Sequence, residues 1–153
     1  MKEKLLIKNT TMKIYFKILL FFILFSSCQN NKNQIDMELK SALIMDPIKN
    51  EIFYAEKNNG AYFNNHRIRV SKKKRLKEAL LVTGGPKYSS KIKDEIFSEI
   101  IEISKKIDSP IRKFGSAALD IAYVACGRFD GFWQRELNYW DIAAGIIILK
   151  EAG

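Results

Sequence analysis

The chain has 153 residues, 47% of them apolar and 28% charged, which is enough to bury a core and excludes wholesale disorder. Its formal charge of +9 comes from lysine spread along the whole length, with one dense run at Lys72-Lys73-Lys74-Arg75 and Lys77. No aromatics interleave with that run and no binding motif accompanies it. It reads as a solvated loop, and a nucleic-acid partner is not expected. Two cysteines are too few for a disulfide scaffold, and one histidine without cysteine neighbours argues against a zinc site.

Residues 1–37 read as a leader distinct from the folded part. From Met12 the chain runs through a short basic start and an apolar stretch, Ile18 to Phe25, to Ser26-Ser27-Cys28. This resembles a bacterial lipoprotein signal, which would anchor the protein through Cys28 and give a membrane contact through residues 12–28. The apolar run is too short to span a bilayer. Gln29 to Gln34 is a polar, Asn-rich spacer. The alternatives are an amphipathic leader, or sequence that does not belong to the folded protein.

A folded domain is expected over residues 38–153. Ser41-Ala42-Leu43-Ile44-Met45 reads as a buried strand closed by the turn signal Asp46-Pro47. A second strand covers Glu51 to Glu56, and Asn58-Asn59-Gly60 is a hairpin turn. Ala61-Tyr62-Phe63, the turn at Asn64-Asn65, and Ile68-Arg69-Val70 continue the meander. Leu80 to Thr83 is a further strand, closed by Gly84-Gly85-Pro86. Ile92, Ile96, Ile100, Ile103 and Ile107 recur at helical spacing, predicting a helix over 91–107. Arg112-Lys113-Phe114 is a short strand candidate. Ser116 caps a helix over Ala117 to Cys126 that ends at Gly127. Phe129 to Gln134 is another strand, and Asp141 to Glu151 is a last helix, apolar nearly all round and so expected between layers. Together these predict a layered, mixed α/β fold.

The chemistry lies near the end of the chain, in Trp140-Asp141-Ile142-Ala143-Ala144-Gly145. A carboxylate in the first turn of a helix gains from the helix dipole and from free amides, so on physical chemistry alone Asp141 reads as a capping residue. The tiny residues after it let the helix start approach another backbone or a ligand.

Trp-Asp-x-Ala-Ala-Gly, followed by an apolar run and Glu151-Ala152-Gly153, resembles the carboxy-terminal signature of the inositol monophosphatase family. Gly115-Ser116-Ala117-Ala118, Gly127-Arg128-Phe129-Asp130-Gly131-Phe132, Gly60-Ala61-Tyr62-Phe63-Asn64 and Ile68-Arg69-Val70-Ser71 are similar to that family too, in order and at natural spacing. The resemblance implies part of an αβαβα fold and Mg²⁺-dependent hydrolysis of a small phosphorylated sugar alcohol such as inositol phosphate. It also implies a cytoplasmic location and, often, a homodimer. By position Asp141 would be a metal ligand, and Gly115, Ser116 and Ala117 would lie against the sugar-alcohol ring. Gln134 stands where the family often has a glutamate that binds substrate hydroxyls; it keeps the hydrogen bond without the charge. No residue is singled out as catalytic.

Two further features depart from the family. Its Asp-Pro-x-Asp-Gly-Thr segment is absent. Asp46-Pro47-Ile48-Lys49-Asn50 only imitates that segment, with Lys49 in place of the second aspartate, so Asp46 is expected to serve a turn. The glutamate ligand is missing as well. The chain is therefore expected to be the carboxy-terminal portion of such an enzyme, with little or no activity alone. The alternative is a non-catalytic, membrane-tethered remnant that binds a sugar phosphate or a partner protein.

Overall fold

The computed structural model describes residues 39–153. The leader, with the expected signal at residues 12–28 and Cys28, lies outside them. Among the described residues no helix is long and apolar enough to cross a membrane.

Four antiparallel strands in sequential order form the first sheet: β1 (Ser41–Asp46), β2 (Glu51–Glu56), β3 (Gly60–Phe63) and β4 (His66–Arg67). Their turns are set by side chains that tolerate or stabilise a reversed backbone. Asp46 accepts from the amides of Ile48 and Lys49 at 3.1 and 3.2 Å, and Asn50 takes a left-handed φ of 53°. Asp46 thus has the turn role expected of it. Asn64 and Asn65, both left-handed, turn β3 into β4. Pairing stops at Arg67, so the strand expected at Ile68–Val70 does not form. The Ile68 amide still reaches the Ala61 carbonyl at 2.9 Å, after which the chain leaves the sheet.

Alternation along the strands separates two faces. Ile44, Phe53, Ala55 and Ala61 point inward and are buried, with Phe53 stacked on Phe63 at 4.8 Å between ring centres. Leu43 and Met45 point outward and are 62% and 48% exposed. The expectation of a buried first strand therefore holds for one face only.

A second, parallel pair joins β5 (Leu81–Thr83) to β6 (Gly131–Trp133). On the other edge of β5, Arg112 makes a single parallel bridge to Val82. The strand expected at Arg112–Phe114 shrinks to this bridge because the chain turns at Gly115, whose φ is 92°. The strand expected at Phe129–Gln134 is likewise shorter at both ends.

Among the described residues three α-helices complete the unit: α1 (Lys93–Ser104), α2 (Ala117–Ala125) and α3 (Tyr139–Ala152). The helical period over 91–107 produces α1, shorter than expected, with Ile92 as its cap and Ile107 buried beyond its end. Arg135 pairs with Glu99 and so ties α1 to the segment after β6. Helix α2 begins as expected, with the Ser116 hydroxyl accepting from the Leu119 amide at 3.4 Å. Helix α3 begins earlier than expected. Asn138 is its cap and Asp141 its third residue. It is also less buried than its composition implies, since Trp140 is 78% exposed.

Helices α2 and α3 lie between the sheets, α3 against β1–β3 and α2 against β1, β5 and β6. They approach closely at Gly145, where an added Cβ would come within 2.7 Å of Ile121 Cγ2. Both helices end at the same segment. A Cβ on Gly127, just past α2, would lie 3.2 Å from the Arg69 carbonyl, and one on Gly153, just past α3, would lie 3.9 Å from Arg69 Cδ. The Val70 amide also bonds the Ala152 carbonyl at 3.4 Å. The two helices therefore run side by side in the same direction, and their amino termini share the opposite end of the layer. The fold is mixed α/β, as the sequence predicts.

Candidate active site

The amino ends of α2 and α3 are the natural place to look for anion chemistry, because the first amides of a helix have no intrahelical acceptor. The parallel strands point to the same place. Thr83 pairs with Trp133 and Val82 with Arg112, so β5, the Arg112 bridge and β6 all leave the second sheet in one direction. Just beyond their ends stand Gly84-Gly85, Gly115-Ser116-Ala117 and Gln134. Open parallel sheets bind ligands at such carboxyl ends.

Each expected residue has a definite setting. Gly115 is exposed, and a Cβ there would meet nothing within 4 Å, so its glycine identity answers to the positive φ. Ser116 is the cap of α2 and Ala117 its first helical residue. Gln134 is half-buried and lies on Gly84, where an added Cβ would be 2.1 Å from Gln134 Cδ. Any side chain at position 84 would displace the glutamine. The sequence marked Gly84 only as a strand terminator. The strand ends are held together beneath them by the buried Thr83 hydroxyl, 2.5 Å from the Trp133 carbonyl.

Asp141 is half-buried, and its Oδ2 accepts from the Asn138 amide at 2.9 Å. That bond is half of a capping box with Asn138. Among the described residues no group of three or more His, Cys, Asp and Glu side chains could hold a metal ion. Magnesium requires a near-octahedral oxygen set and sheds water reluctantly. The described residues do not by themselves fit Mg²⁺.

One further carboxylate stands out. Asp120, in the first turn of α2, is fully buried, and neither oxygen has a hydrogen-bond partner among the described residues. Burial pushes its carboxyl up to about 6. Periodicity alone gave no sign of it.

Several other charges make structural pairs. Lys73 pairs with Asp130 at 2.9 Å, and Asp130 also accepts from the Leu80 amide at 2.6 Å. Burial pushes the Asp130 carboxyl up, but the Leu80 amide, Ser71 and Lys73 together hold it below the usual range. Arg75 pairs with Glu78. The basic run is thus partly neutralised by local acids, in keeping with a loop. At the other end of the first sheet, Arg128 makes a two-point ion pair with Glu51 at 2.7 and 2.9 Å while lying over Phe63 and Tyr123. Glu151 accepts from the amides of Asn58 and Gly60 at 2.9 and 3.0 Å, clamping the end of α3 to the β2–β3 turn.

The family model of the inositol monophosphatase family matches residues 34–153. The chain belongs to this family. It is 40% identical over 116 residues to the inositol-1-monophosphatase of Rhizobium meliloti (strain 1021), covering 76% of this chain and 43% of the relative. It is also 40% identical over 116 residues to the Nus factor SuhB of Pseudomonas aeruginosa, covering 75% of this chain and 43% of that one. Among solved structures, the extragenic suppressor protein suhB of Bartonella henselae superposes with a TM-score of 0.72 at 43% identity, over 76% of this chain and 44% of that protein. The chain thus spans less than half the length of the inositol monophosphatase relatives it matches.

Proposed function

We propose that this chain forms part of a phosphatase site that hydrolyses a small phosphate monoester such as inositol monophosphate, with Mg²⁺ as the metal and Asp141 as one ligand. The observation that carries the reading is the meeting of two helix amino termini at the end where β5, Arg112 and β6 present their carboxyl ends. Free amides and a positive potential suit a phosphate dianion. Gly115, Ser116 and Ala117 then offer backbone to the sugar-alcohol ring, and Gln134 offers a donor and an acceptor to its hydroxyls. The other metal ligands come from the part of the family fold outside the shared region, so the chain by itself has little or no turnover.

Replacing the matched region of a complete relative with residues 38–153 gives an enzyme in which the reading can be tested. Asp141→Asn in that chimaera is expected to lower Mg²⁺-dependent phosphate release about 100-fold or more, the loss of a few kcal/mol of charge stabilisation. Asparagine keeps an oxygen for the Asn138 amide, so the helix start survives. Unchanged turnover with unchanged Mg²⁺ dependence removes Asp141 from the metal.

A further inference from the structure

The end of the fold opposite the candidate site is built from segments far apart in sequence, and it is basic. The run at 72–77 follows residues 69–71, which lie against the end of α2, and leads to the start of β5. Lys73, Arg75 and Lys77 of that run pair with Asp130, Glu78 and Asp108. Lys72 and Lys74 are exposed and have no acid partner among the described residues. The fold adds two lysines from elsewhere in the chain. The Asp108 amide donates to the Lys77 carbonyl at 2.8 Å, which brings the segment after α1, with exposed Lys105 and Lys106, up to the run. Arg67 and Arg69 lie beside Glu151 at the end of α3. Over the rest of the described residues acids and bases about balance, so the excess positive charge is gathered at this one end.

The chain also enters the fold here. The Lys40 carbonyl accepts from the Lys57 amide at 2.8 Å, and Ser41 pairs with Glu56. Strand β1 therefore begins beside the β2–β3 turn that Glu151 clamps to the end of α3. Ahead of Lys40 the sequence carries the polar spacer at 29–34 and the apolar stretch at 18–25. That stretch is too short to span a bilayer, and a single acyl chain on Cys28 would bind one only marginally. Stable attachment takes a second signal, and a lysine cluster facing anionic lipid supplies one. A nucleic-acid strand is the poorer fit, because no aromatic lies among these lysines for bases to stack on. We infer that this basic end, centred on Lys72, Lys74, Lys105 and Lys106, lies on an anionic lipid surface, with the candidate site at the far end open to soluble substrate. The readout is lipid binding, so the inference stands or falls apart from the phosphatase reading.

The test is to sediment the full 153-residue chain with vesicles of phosphatidylcholine alone and of phosphatidylcholine mixed with phosphatidylglycerol. Binding is expected to be stronger to the anionic vesicles and to weaken as salt is raised. Lys72→Gln with Lys74→Gln, and separately Lys105→Gln with Lys106→Gln, are expected to lower the partition coefficient about fivefold for each lysine removed. Lys87→Gln with Lys91→Gln removes the same charge from exposed positions beyond the carboxyl end of β5 and leaves binding unchanged. Equal binding to the two kinds of vesicle overturns the inference, because the apolar leader then suffices, and so does an absence of binding to either. An equal loss in the Lys87 and Lys91 variant overturns it too, since net charge and not this face is then responsible. Binding of a single-stranded RNA through the same four lysines, with none to vesicles, assigns the surface to nucleic acid instead.

Discussion

Asp120 poses the sharpest question at the scale of single residues. A carboxyl pushed by burial from an ordinary 3.8 to about 6 is protonated more readily in the folded state than in the unfolded one. By linkage, the folded form is favoured below about pH 4, and that advantage is lost as pH rises towards about 6. The total is about 3 kcal/mol, from about two pH units at 1.36 kcal/mol each. Asp120→Asn, which cannot ionise, is expected to stabilise the chain above pH 6 by an amount of that order, with no gain near pH 4. Denaturant titrations at the two pH values check this, and a variant less stable at both shows that Asp120 has a partner that asparagine cannot serve. Gln134 raises a different issue, since it touches Gly84 and comes directly after the strand end. Gln134→Glu in the chimaera is expected to shift preference among sugar-alcohol phosphates while leaving the Mg²⁺ requirement intact. Constant selectivity would mean that its role ends at packing on Gly84.

At the scale of elements, the α2–α3 contact is the most demanding. Gly145→Ala brings a methyl group within 2.7 Å of Ile121 Cγ2 on a helix that is itself held by both sheets. Overpacking of this kind costs about 1–3 kcal/mol, and equilibrium unfolding should show a loss in that range. A shift near zero would mean that α3 slides freely over α2. Much of this architecture was legible in the sequence, because its signals are local. The asparagine and glycine turns, the Ser116 cap and the isoleucine period each act within a few residues of where they are written. The errors have physical causes too. The start of α3 was misplaced because Asp141 looks like a cap, whereas Asn138 caps and Asp141 answers it from the third helical position. The clamp of Glu151 on the β2–β3 turn joins residues more than ninety apart and leaves no local trace. The same holds for Gly84, which reads as a turn glycine until Gln134 is seen lying on it. At the candidate site the Ser116 cap was readable, whereas the contact of Gln134 with Gly84 and the burial of Asp120 were not.

At the scale of the whole molecule, the parallel alignment of α2 and α3 has an electrostatic consequence. Two helix dipoles set side by side in one direction place like poles together at each end, an arrangement that repels itself. At the carboxyl end the molecule supplies a counter-charge: Arg69 lies against the residue past α3 and reaches the Glu151 carbonyl at 3.4 Å. At the amino end Asp141 answers α3 through its capping bond, and α2 is met by the Ser116 hydroxyl and by Asp120 in its first turn, whose burial favours the uncharged carboxyl. The positive pole at that end is therefore only partly compensated while Asp120 is protonated, and an anion settling there adds to the compensation. Inorganic phosphate is expected to raise the melting temperature of the chain more than chloride does at equal ionic strength. The gain should shrink as added salt shortens the Debye length towards a few ångströms. If phosphate and chloride act alike in low salt, the two amino termini are too far apart, or too well solvated, to act as one pole.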